Sequence, residues 1–306
     1  MSSSLTNKLE DFIQKCPCCD SEIVSIAYEN SFFELPVINC KNCSLFFTLQ
    51  NKREQIKDYY SDSYWSVFRN IKNQKIENQK YDNAYVIKKL PQFLRDLIEK
   101  TGVRKSLAFS QFNYLKPYIK GQNLFEIGSG EGFLLEMYEK NGFNVYGIEP
   151  SKVNIEIINS KLKHGKCENK FVEDFSFSGE KLDVVIISHV LEHLINGKEI
   201  LANIRNGLVD GGVLFIEVPN CQHKETLDHS VVTQPHMYHF TKQSLQKLLE
   251  VAGFRVLKID TFTAEVFSLR QHLLYFLCWV FKKDFYKMAP EIRGNRLRVI
   301  ATHINN

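Results

Sequence analysis

The sequence predicts an α/β protein with a doubly wound, mostly parallel, seven-stranded sheet, preceded by a small cysteine-rich module. Three observations carry this prediction. From residue 121 onward, apolar strand-like runs alternate with helix-like segments, which is typical of a parallel sheet covered on both faces. A glycine-rich loop, residues 128–132, joins the first of these strands to the first helix. Five of the eight cysteines lie between residues 16 and 43.

The composition excludes several classes of protein. Apolar residues make up 44% and charged residues 24% of the 306 residues, as in soluble globular proteins. The net charge of +4 is small, and no dense basic and aromatic pattern indicates a nucleic-acid partner. The longest apolar run, residues 273–281, is too short for a transmembrane helix, which needs about 20 residues. The N-terminus has no apolar signal core, so we expect a cytoplasmic protein with reduced cysteines.

The cysteines form two C-x-x-C pairs, in CPCCD (16–20) and CKNC (40–43). Each two-residue gap lets a tight turn direct two thiolates at one ion, and two such turns complete the tetrahedral sulfur site of structural zinc. The segment between the pairs predicts two or three short strands, so the pattern is that of a zinc ribbon; free thiols in a small core are the alternative. Cys18 and Cys19 are both candidates for the second zinc ligand, and the usual C-P-x-C spacing favours Cys19. The predicted ligands are Cys16, Cys19, Cys40 and Cys43.

The chain is expected to contain three parts. Residues 1–50 form the zinc-ribbon module, residues 51–120 a helical connector or cap, and residues 121–306 the α/β domain. Within the last part, residues 266–287 predict an amphipathic helix with a basic end. This helix either packs on the domain or on a second subunit, which would give a homodimer, or contacts a membrane surface that carries a lipid-linked substrate.

The strands of the α/β domain are recognised as apolar runs bounded by turn residues. The fourth, LDVVIIS, is almost entirely apolar, so we expect it to be buried on both faces. Thr241 is expected to cap the helix that follows the fifth strand, and Gly253 to end it. The seven strands are predicted at residues 123–127, 144–150, 170–175, 182–188, 211–220, 255–262 and 296–302.

The glycine loop distinguishes two classes of cofactor. Gly128, Gly130 and Gly132 have the spacing G-x-G-x-G, whereas the dinucleotide fingerprint is G-x-G-x-x-G. Glu126 stands two residues before the first glycine, at the end of a strand. A carboxylate there would face a pyrophosphate unfavourably, but it would suit a cationic ligand such as the amino group or sulfonium of S-adenosylmethionine. An NAD-type oxidoreductase is the alternative, since Glu149, at the end of the predicted second strand, fits the ribose of NAD as well as that of S-adenosylmethionine.

Five motifs resemble those of the class I S-adenosylmethionine-dependent methyltransferases. They are FEIGSGEG, YGIEPS, FVEDF, DVVIISHVLEHL and GGVLFIEVPN. The resemblance covers roughly residues 121–306, with Glu126 where the family usually has Asp. It implies that Glu149 accepts from both ribose hydroxyls and that Asp174 accepts from the adenine amino group. The positions that it assigns to the cofactor or its pocket are Glu126, Gly128, Ser129, Gly130, Gly132, Glu149, Pro150, Asp174, Ser188 and His189.

The cysteine module in front of this domain narrows the resemblance. The combination is similar to bacterial methyltransferases of sugar, polysaccharide and secondary-metabolite pathways, and residues 235–254 also resemble that group. Asp20 ends the turn of the first cysteine pair, where glycine is usual. Asp tolerates left-handed backbone angles better than most residues, so this departure carries little weight. The resemblance implies methylation, on carbon or oxygen, of a sugar or of a nucleotide- or lipid-linked glycan precursor. A quinone or other small metabolite as acceptor is one alternative, and a catalytically inactive binding module is another.

Histidines are the candidate general bases, because a base is needed when the acceptor is a hydroxyl or an acidic C–H. His236 and His239 lie in the loop after the fifth strand, and His193 follows the fourth. His239 either acts as a base or packs against the following helix cap. His189, Glu192 and His193 also match H-x-x-E-H, a zinc-protease motif. We reject a protease because the motif begins at a strand end and not within a long helix.

Overall fold

A computed structural model of the chain describes residues 15–49, 104–262 and 294–303, and two single positions, Leu277 and Phe281. These residues form two sheets, six α-helices and three short 3-10 turns. The strands are β1 (Val24–Tyr28), β2 (Val37–Cys40), β3 (Phe46–Thr48), β4 (Asn123–Ile127), β5 (Asn144–Ile148), β6 (Lys166–Glu168), β7 (Leu182–Ser188), β8 (Leu208–Pro219), β9 (Tyr238–His239), β10 (Phe254–Phe262) and β11 (Arg296–His303). The helices are α1 (Arg104–Leu115), α2 (Phe133–Lys140), α3 (Lys152–Lys161), α4 (Gly197–Arg205), α5 (Lys224–Val232) and α6 (Lys242–Val251). The 3-10 turns are Lys116–Tyr118, Val172–Asp174 and Leu191–His193.

The larger sheet has seven strands in the order β10-β11-β8-β7-β4-β5-β6. Strands β6, β5, β4, β7 and β8 are parallel to one another, whereas β11 and β10 are added antiparallel at one edge. Residues 184–187 of the central strand β7 are completely buried, as the apolar run predicted. The predicted fold class, a mostly parallel, doubly wound, seven-stranded sheet, is confirmed. The order reverses between β4 and β7, which is where such sheets bind ligands.

The third strand of this sheet differs from the prediction. It is β6, and the predicted strand at residues 170–175 contains a 3-10 turn instead. The side chain of Asn169 accounts for the end of β6, because its Nδ2 donates to the carbonyl oxygens of Glu149 and Pro150 at 3.1 and 2.7 Å. The chain therefore turns away after three residues of pairing with β5. The prediction at 170–175 was wrong because the apolar residues there pack from a turn.

Helix α6 begins and ends where the sequence indicates. The Thr241 hydroxyl accepts from the backbone N–H of Ser244 at 3.1 Å, and the Ser244 hydroxyl accepts from the Thr241 N–H at 2.9 Å. These two bonds form a capping box. Gly253 follows the helix with a φ of 85°, a left-handed conformation that glycine adopts without steric cost. The cap fixes the start of α6 and therefore the end of the segment that precedes it.

The N-terminal module forms a second sheet in the order β1-β2-β3-β9. The prediction of two or three strands between the cysteine pairs is confirmed with two, β1 and β2. The fourth strand, β9, comes from the α/β domain, and it pairs Tyr238 with Phe47 and His239 with Phe46 of β3. One continuous buried cluster includes the module's cysteines and residues of the larger sheet. The module is therefore packed onto the α/β domain.

Helix α1 lies in the segment that was expected to be a connector. It packs on the larger sheet, because Ala108 and Phe112 share a buried cluster with Leu124 of β4. Residues 50–103 and, apart from the two single positions, the segment 266–287 lie outside the described residues. Among the helices that the structure describes, none is long and apolar enough to cross a membrane.

Candidate functional site

A cavity of about 330 Å³ opens at the carboxyl ends of β4, β5 and β7. This is the edge at which doubly wound sheets bind ligands. Gly132 and Asp174 do not line the cavity; Val172 and Glu173, next to Asp174, do. The other predicted cofactor positions all line it: Glu126, Gly128, Ser129, Gly130, Glu149, Pro150, Ser188 and His189.

The glycines of the loop between β4 and α2 are required by its backbone. Gly128, Gly130 and Gly132 have φ angles of 68°, 57° and 74°, in the left-handed region that residues with a Cβ enter at a cost. A Cβ on Gly128 would lie 2.3 Å from Cγ2 of Val190, and one on Gly132 would lie 2.9 Å from Cγ1 of Ile158. The loop therefore presents bare backbone at the cavity wall.

Glu149 follows β5 and is only 2% exposed. Its Oε2 accepts from the backbone N–H of Gly130 at 2.9 Å. Its Oε1 accepts from the N–H of Ser151 at 3.1 Å and from Nδ2 of Asn154 at 3.4 Å. These bonds hold an acceptor-only group beside the glycine loop, an arrangement that fits hydroxyl donors such as those of a ribose.

Glu126 is the penultimate residue of β4, and it is almost as deeply buried as Glu149. Burial, and secondarily the charge of Glu149, raises the pKa of Glu126 to about 8. Its Oε2 has no hydrogen-bond partner among the described residues, which is unusual for a buried oxygen. An ammonium group in the cavity would supply the missing donor and favour the ionised carboxyl group. With Glu149 and the glycine backbone, Glu126 therefore fits S-adenosylmethionine.

Comparison with known proteins agrees with this geometry. A family model described as a methyltransferase domain matches residues 81–259, more than half of the chain. The chain belongs to this methyltransferase family. Membership favours the methyltransferase interpretation over the dinucleotide-binding alternative, and it agrees with the G-x-G-x-G spacing of the loop.

Curated relatives of the methyltransferase domain are distant and match in part. The tRNA U34 carboxymethyltransferase of Campylobacter jejuni strain RM1221 is 27% identical over 165 residues, which are 50% of this chain and 57% of the relative. The ubiquinone biosynthesis O-methyltransferase of Mesorhizobium japonicum is 28% identical over 105 residues, which are 33% of this chain and 42% of the relative. The chain thus spans about half the length of these relatives.

Solved structures show the same fold. A S-adenosylmethionine-dependent methyltransferase from Archaeoglobus fulgidus is 21% identical, covers 68% of this chain and 98% of its own, and has a TM-score of 0.50. The magnesium protoporphyrin IX methyltransferase of Synechocystis PCC 6803, solved with bound S-adenosylhomocysteine, is 14% identical. It covers 82% of this chain and 100% of its own, with a TM-score of 0.50.

His189 connects the cavity of the methyltransferase domain to a buried charge network. Its Nδ1 lies 3.2 Å from Oε1 of Glu192, and its Nε2 lies 3.2 Å from Oε1 of Glu217. Burial and Arg296 lower the pKa of His189, but the bonds to the two carboxylates outweigh them and raise it. Carboxylates only accept, so the doubly protonated imidazolium fits this position.

Glu217 of β8 is completely buried. It accepts from Nη1 of Arg296 at 2.9 Å and from Nε of Arg298 at 2.5 Å. Although burial raises the pKa of Glu217, the charges of Arg298 and Arg296 and the bond from His189 hold it well below its usual range. Nη1 of Arg298 also donates to Ser110 of α1 at 2.9 Å. The network therefore ties α1 and β11 to the cavity edge.

The three candidate bases lie side by side, but only His193 lines the cavity. The ring of His236 packs against that of His193 with centroids 4.7 Å apart. The hydroxyl of Ser230 lies 2.7 Å from Nδ1 of His236 and 2.8 Å from Nδ1 of His239. Burial lowers the pKa of all three, that of His239 to about 3. His236 and His239 are thus placed behind the cavity wall.

The H-x-x-E-H segment does not lie within a long helix, so it differs from the zinc-protease motif. Strand β7 ends at Ser188, and a 3-10 turn at Leu191–His193 follows. His189 itself has a left-handed φ of 55°, so the segment is not a helix that places His189 and His193 on one face. Instead, the turn directs His189 to the charge network and His193 to the cavity.

The four predicted cysteine ligands come together in the module. Their sulfur atoms all lie within 4.8 Å of one another; Cys16 is 3.6 Å from Cys43, and Cys19 is 3.6 Å from Cys40. Tetrahedral Zn–S bonds of about 2.3 Å place sulfur atoms about 3.8 Å apart, so the thiolates fit zinc with little adjustment. Cys18 is not one of these four, and its thiol donates to the Ser244 carbonyl at 3.7 Å.

Both cysteine turns have the same backbone geometry. The N–H of Asp20 donates to the carbonyl of Cys16 at 2.9 Å, and the N–H of Ser44 donates to that of Cys40 at 2.9 Å. Asp20 and Ser44 have left-handed φ angles of 57° and 61°. Asp20 in place of the usual glycine therefore adopts the expected conformation, and its carboxylate accepts from Lys198 of α4 at 2.8 Å.

Sequence reasoning missed two parts of the site. Gln111 of α1 lines the cavity and donates to the Ser188 hydroxyl at 2.9 Å, but no motif marks this glutamine. Charged residues within otherwise apolar strands could have indicated the network. Glu217 interrupts the run of β8, and Arg296 and Arg298 share one face of β11 because side chains alternate along a strand.

Proposed function

We propose that this chain is an S-adenosylmethionine-dependent methyltransferase that acts on a small-molecule acceptor. The observation that carries the proposal is the pair of buried carboxylates, Glu126 and Glu149, at the ends of neighbouring parallel strands on either side of the glycine loop. Membership of the methyltransferase family supports it. In this proposal Glu126 binds the cofactor's ammonium group and Glu149 its ribose hydroxyls. Asp174 is the proposed adenine acceptor, with Glu173 beside it at the cavity wall.

The proposed reaction places modest demands on the protein. When bound, S-adenosylmethionine supplies an electrophilic methyl group on a sulfonium, whose departure needs no acid. The residues of the chain then contribute mainly alignment, proximity and exclusion of water. His193, which lines the cavity, is the side chain best placed to contact an acceptor, and His189 is held in one orientation by its two carboxylates.

We propose a sugar or glycan precursor as the acceptor class. The support is the resemblance of the whole arrangement, a four-cysteine module in front of a methyltransferase domain, to sugar-pathway methyltransferases. A structural zinc ion in the module is part of this proposal, because the four sulfur atoms fit it and a four-thiolate site is closed to substrates. Cytoplasmic location, a homodimer and a membrane contact through 266–287 stay predictions.

One observation favours a second acceptor class, a quinone or another apolar metabolite. Many of the side chains that line the cavity are apolar, and the named curated relatives include a ubiquinone O-methyltransferase. Apolar walls favour an aromatic acceptor over a sugar, which needs many hydrogen-bonding partners. The apolar residues in question are Leu107, Ala108, Phe133, Leu134, Val190, Leu194 and Ile195.

Mass spectrometry of cells with and without the gene tests the acceptor. Loss of one methyl group from a nucleotide sugar or glycan supports the first class, and loss of one from the quinone pool supports the second. The purified chain should then transfer radioactive methyl from S-adenosylmethionine to the extract of the deleted strain. Glu149→Ala, with weakened cofactor binding, is the control and should transfer less methyl. Transfer to neither extract fraction would contradict the proposal.

A further inference from the structure

A cluster of three side chains lies where His193 lines the cavity. It consists of Glu192, His193 and His236. The carboxylate oxygen and ring nitrogens that they offer all lie within 4.8 Å of one another. Glu192 is 1% and His236 6% exposed, while His193 reaches the cavity. We propose that these three side chains bind a divalent transition-metal ion whose open positions face the cavity and take a hydroxyl group of the acceptor.

Glu192 supplies the observation that points to a ligand. Its Oε1 is oriented by Nδ1 of His189 at 3.2 Å. Its Oε2 is buried and has no hydrogen-bond partner among the described residues. A buried carboxylate oxygen without a donor is costly, and a cation between the carboxylate and the two imidazoles would remove that cost.

The two histidines are held in the form that binds metals. Nδ1 of His193 lies 3.2 Å from the carbonyl of Pro235, and because a carbonyl only accepts, Nδ1 carries the proton and Nε2 the lone pair. The hydroxyl of Ser230 can donate its one proton to His239 and accept from Nδ1–H of His236. Nε2 of His236 then also carries a lone pair. Ligand histidines are commonly oriented in this way through their second nitrogen.

Hydrogen bonds to backbone carbonyls hold the segments of the cluster together. The N–H of Met237 donates to the Glu192 carbonyl at 2.8 Å, which joins the two segments that carry the ligands. The hydroxyl of Thr48 in the module donates to the carbonyl of His236 at 3.2 Å. Two residues of the H-x-x-E-H motif, Glu192 and His193, are thus proposed metal ligands. The third ligand is His236 and not His189, because both nitrogens of His189 face carboxylates.

Two imidazoles and one carboxylate with open positions are a ligand set typical of divalent transition metals, rather than of magnesium or calcium. A metal ion lowers the pKa of a hydroxyl group that it contacts, so the acceptor hydroxyl would lose its proton to water and no histidine would need to accept it. The inference deepens the proposed function by favouring an oxygen acceptor over a carbon one. This catalytic role rests on the proposed methyl transfer, whereas the binding of the ion does not.

Manganese binding to the full chain tests the site without cofactor or acceptor. Mn²⁺ is the probe because it is paramagnetic and has little affinity for thiolates such as those of the module. The free-ion signal in electron paramagnetic resonance gives the affinity and stoichiometry. We expect one Mn²⁺ per chain, with pulsed spectra that show coupling to histidine nitrogen.

The variants assign the ion to its ligands. Ser230→Ala, which removes the partner that orients His236, should weaken binding by about 10- to 100-fold, and Glu192→Gln at least as strongly. Glu225→Gln removes an exposed acid on α5 and should bind as the wild type does. The proposal is overturned if the wild type binds no Mn²⁺, if the bound ion shows no nitrogen coupling, or if Glu192→Gln and Ser230→Ala bind unchanged.

Titration of the same preparations with S-adenosylhomocysteine separates the two proposals. A wild type that binds this ligand but no Mn²⁺ refutes the metal site alone. One that binds Mn²⁺ but not S-adenosylhomocysteine refutes the proposed cofactor alone. If Glu192→Gln does not fold, the nitrogen coupling of the wild type and the Ser230→Ala affinity decide the question.

Discussion

The two sides of the cavity are built in different ways. The glycine side consists of residues 126–132, from the end of β4 and the loop before α2, and of Glu149, which directly follows the adjacent parallel strand β5. The histidine side consists of His193, which lines the cavity, and of Glu192 and His236 behind it. It is held by the module through contacts such as that of Thr48 with His236, 188 residues apart. The first side therefore depends on local sequence, and the second depends on long-range packing.

This difference has a functional consequence. The glycine side carries the loop and the two carboxylates that fit S-adenosylmethionine. The histidine side, which faces the acceptor in our proposal, is attached to a module that need not accompany the fold. In our proposal the module therefore affects the acceptor side and leaves the loop that binds the cofactor unchanged.

Removing a proposed zinc ligand should damage the histidine side most. We expect Cys40→Ser to lose zinc and to lower the unfolding free energy by several kcal/mol, because structural zinc provides much of the folding energy of small modules. Metal analysis and chemical denaturation measure both effects. Cys18→Ser, next to the cluster but outside it, should keep its zinc. Wild-type zinc content in Cys40→Ser would contradict the assignment.

Removing a charge from the buried network should have the next largest effect. Arg298→Met leaves Glu217 with one arginine fewer in a fully buried place, so we expect a loss of about 3–5 kcal/mol in unfolding free energy. Lys140→Met breaks an exposed pair with Glu136 and should cost less than about 1 kcal/mol. Equal losses in denaturant titrations of the two variants would show that the network does not stabilise the fold.

A methyl group added to the glycine loop should break the other side. Gly128→Ala places a side chain in a left-handed conformation, at a cost of about 1–2 kcal/mol, and against Val190. We expect calorimetry to show an affinity for S-adenosylhomocysteine at least tenfold weaker. Gly142→Ala has the same kind of strain, with a φ of 86° and no atom within 4 Å of the added Cβ. It should lose similar stability but bind normally.

The pH dependence of binding should show a smaller effect. Because the pKa of Glu126 is raised to about 8, the folded chain binds a proton that the unfolded chain loses near pH 4.5. The unfolding free energy therefore falls as pH rises between these values. Affinity for the ammonium-bearing S-adenosylhomocysteine should rise severalfold from pH 6.5 to pH 8.5 and stay level in Glu126→Gln. A parallel rise in the variant would contradict this account of Glu126.

Local sequence predicted the glycine side well. The bounds of β4 and β7 match because each apolar run ends at a turn or polar residue, and positive φ angles explain the glycine spacing. The four cysteines also came together as their spacing predicted. In contrast, β6 was misplaced, because the side chain of Asn169 that ends it donates to carbonyls of Glu149 and Pro150, about 20 residues earlier in the chain.

The histidine side could not be derived in the same way. His236 and His239 were recognised as candidates, but their burial behind the cavity wall results from the pairing of β9 with β3, and no short-range pattern encodes that pairing. The contact of Ser230 with both rings, and that of Gln111 with Ser188, likewise depend on how helices pack on the sheet. Residue types therefore identified the chemistry, and packing decided which of them reach the cavity.

The central claim is that the buried carboxylates Glu126 and Glu149 form a site for S-adenosylmethionine. Calorimetry with S-adenosylhomocysteine and with NAD on the wild type and on Glu149→Ala tests it most directly. We predict that S-adenosylhomocysteine binds and NAD does not. We also predict that Glu149→Ala weakens binding by about 10- to 100-fold, because each hydrogen bond to a charged group contributes about 1.5–3 kcal/mol. Binding of NAD alone, or wild-type affinity in the variant, would contradict the account.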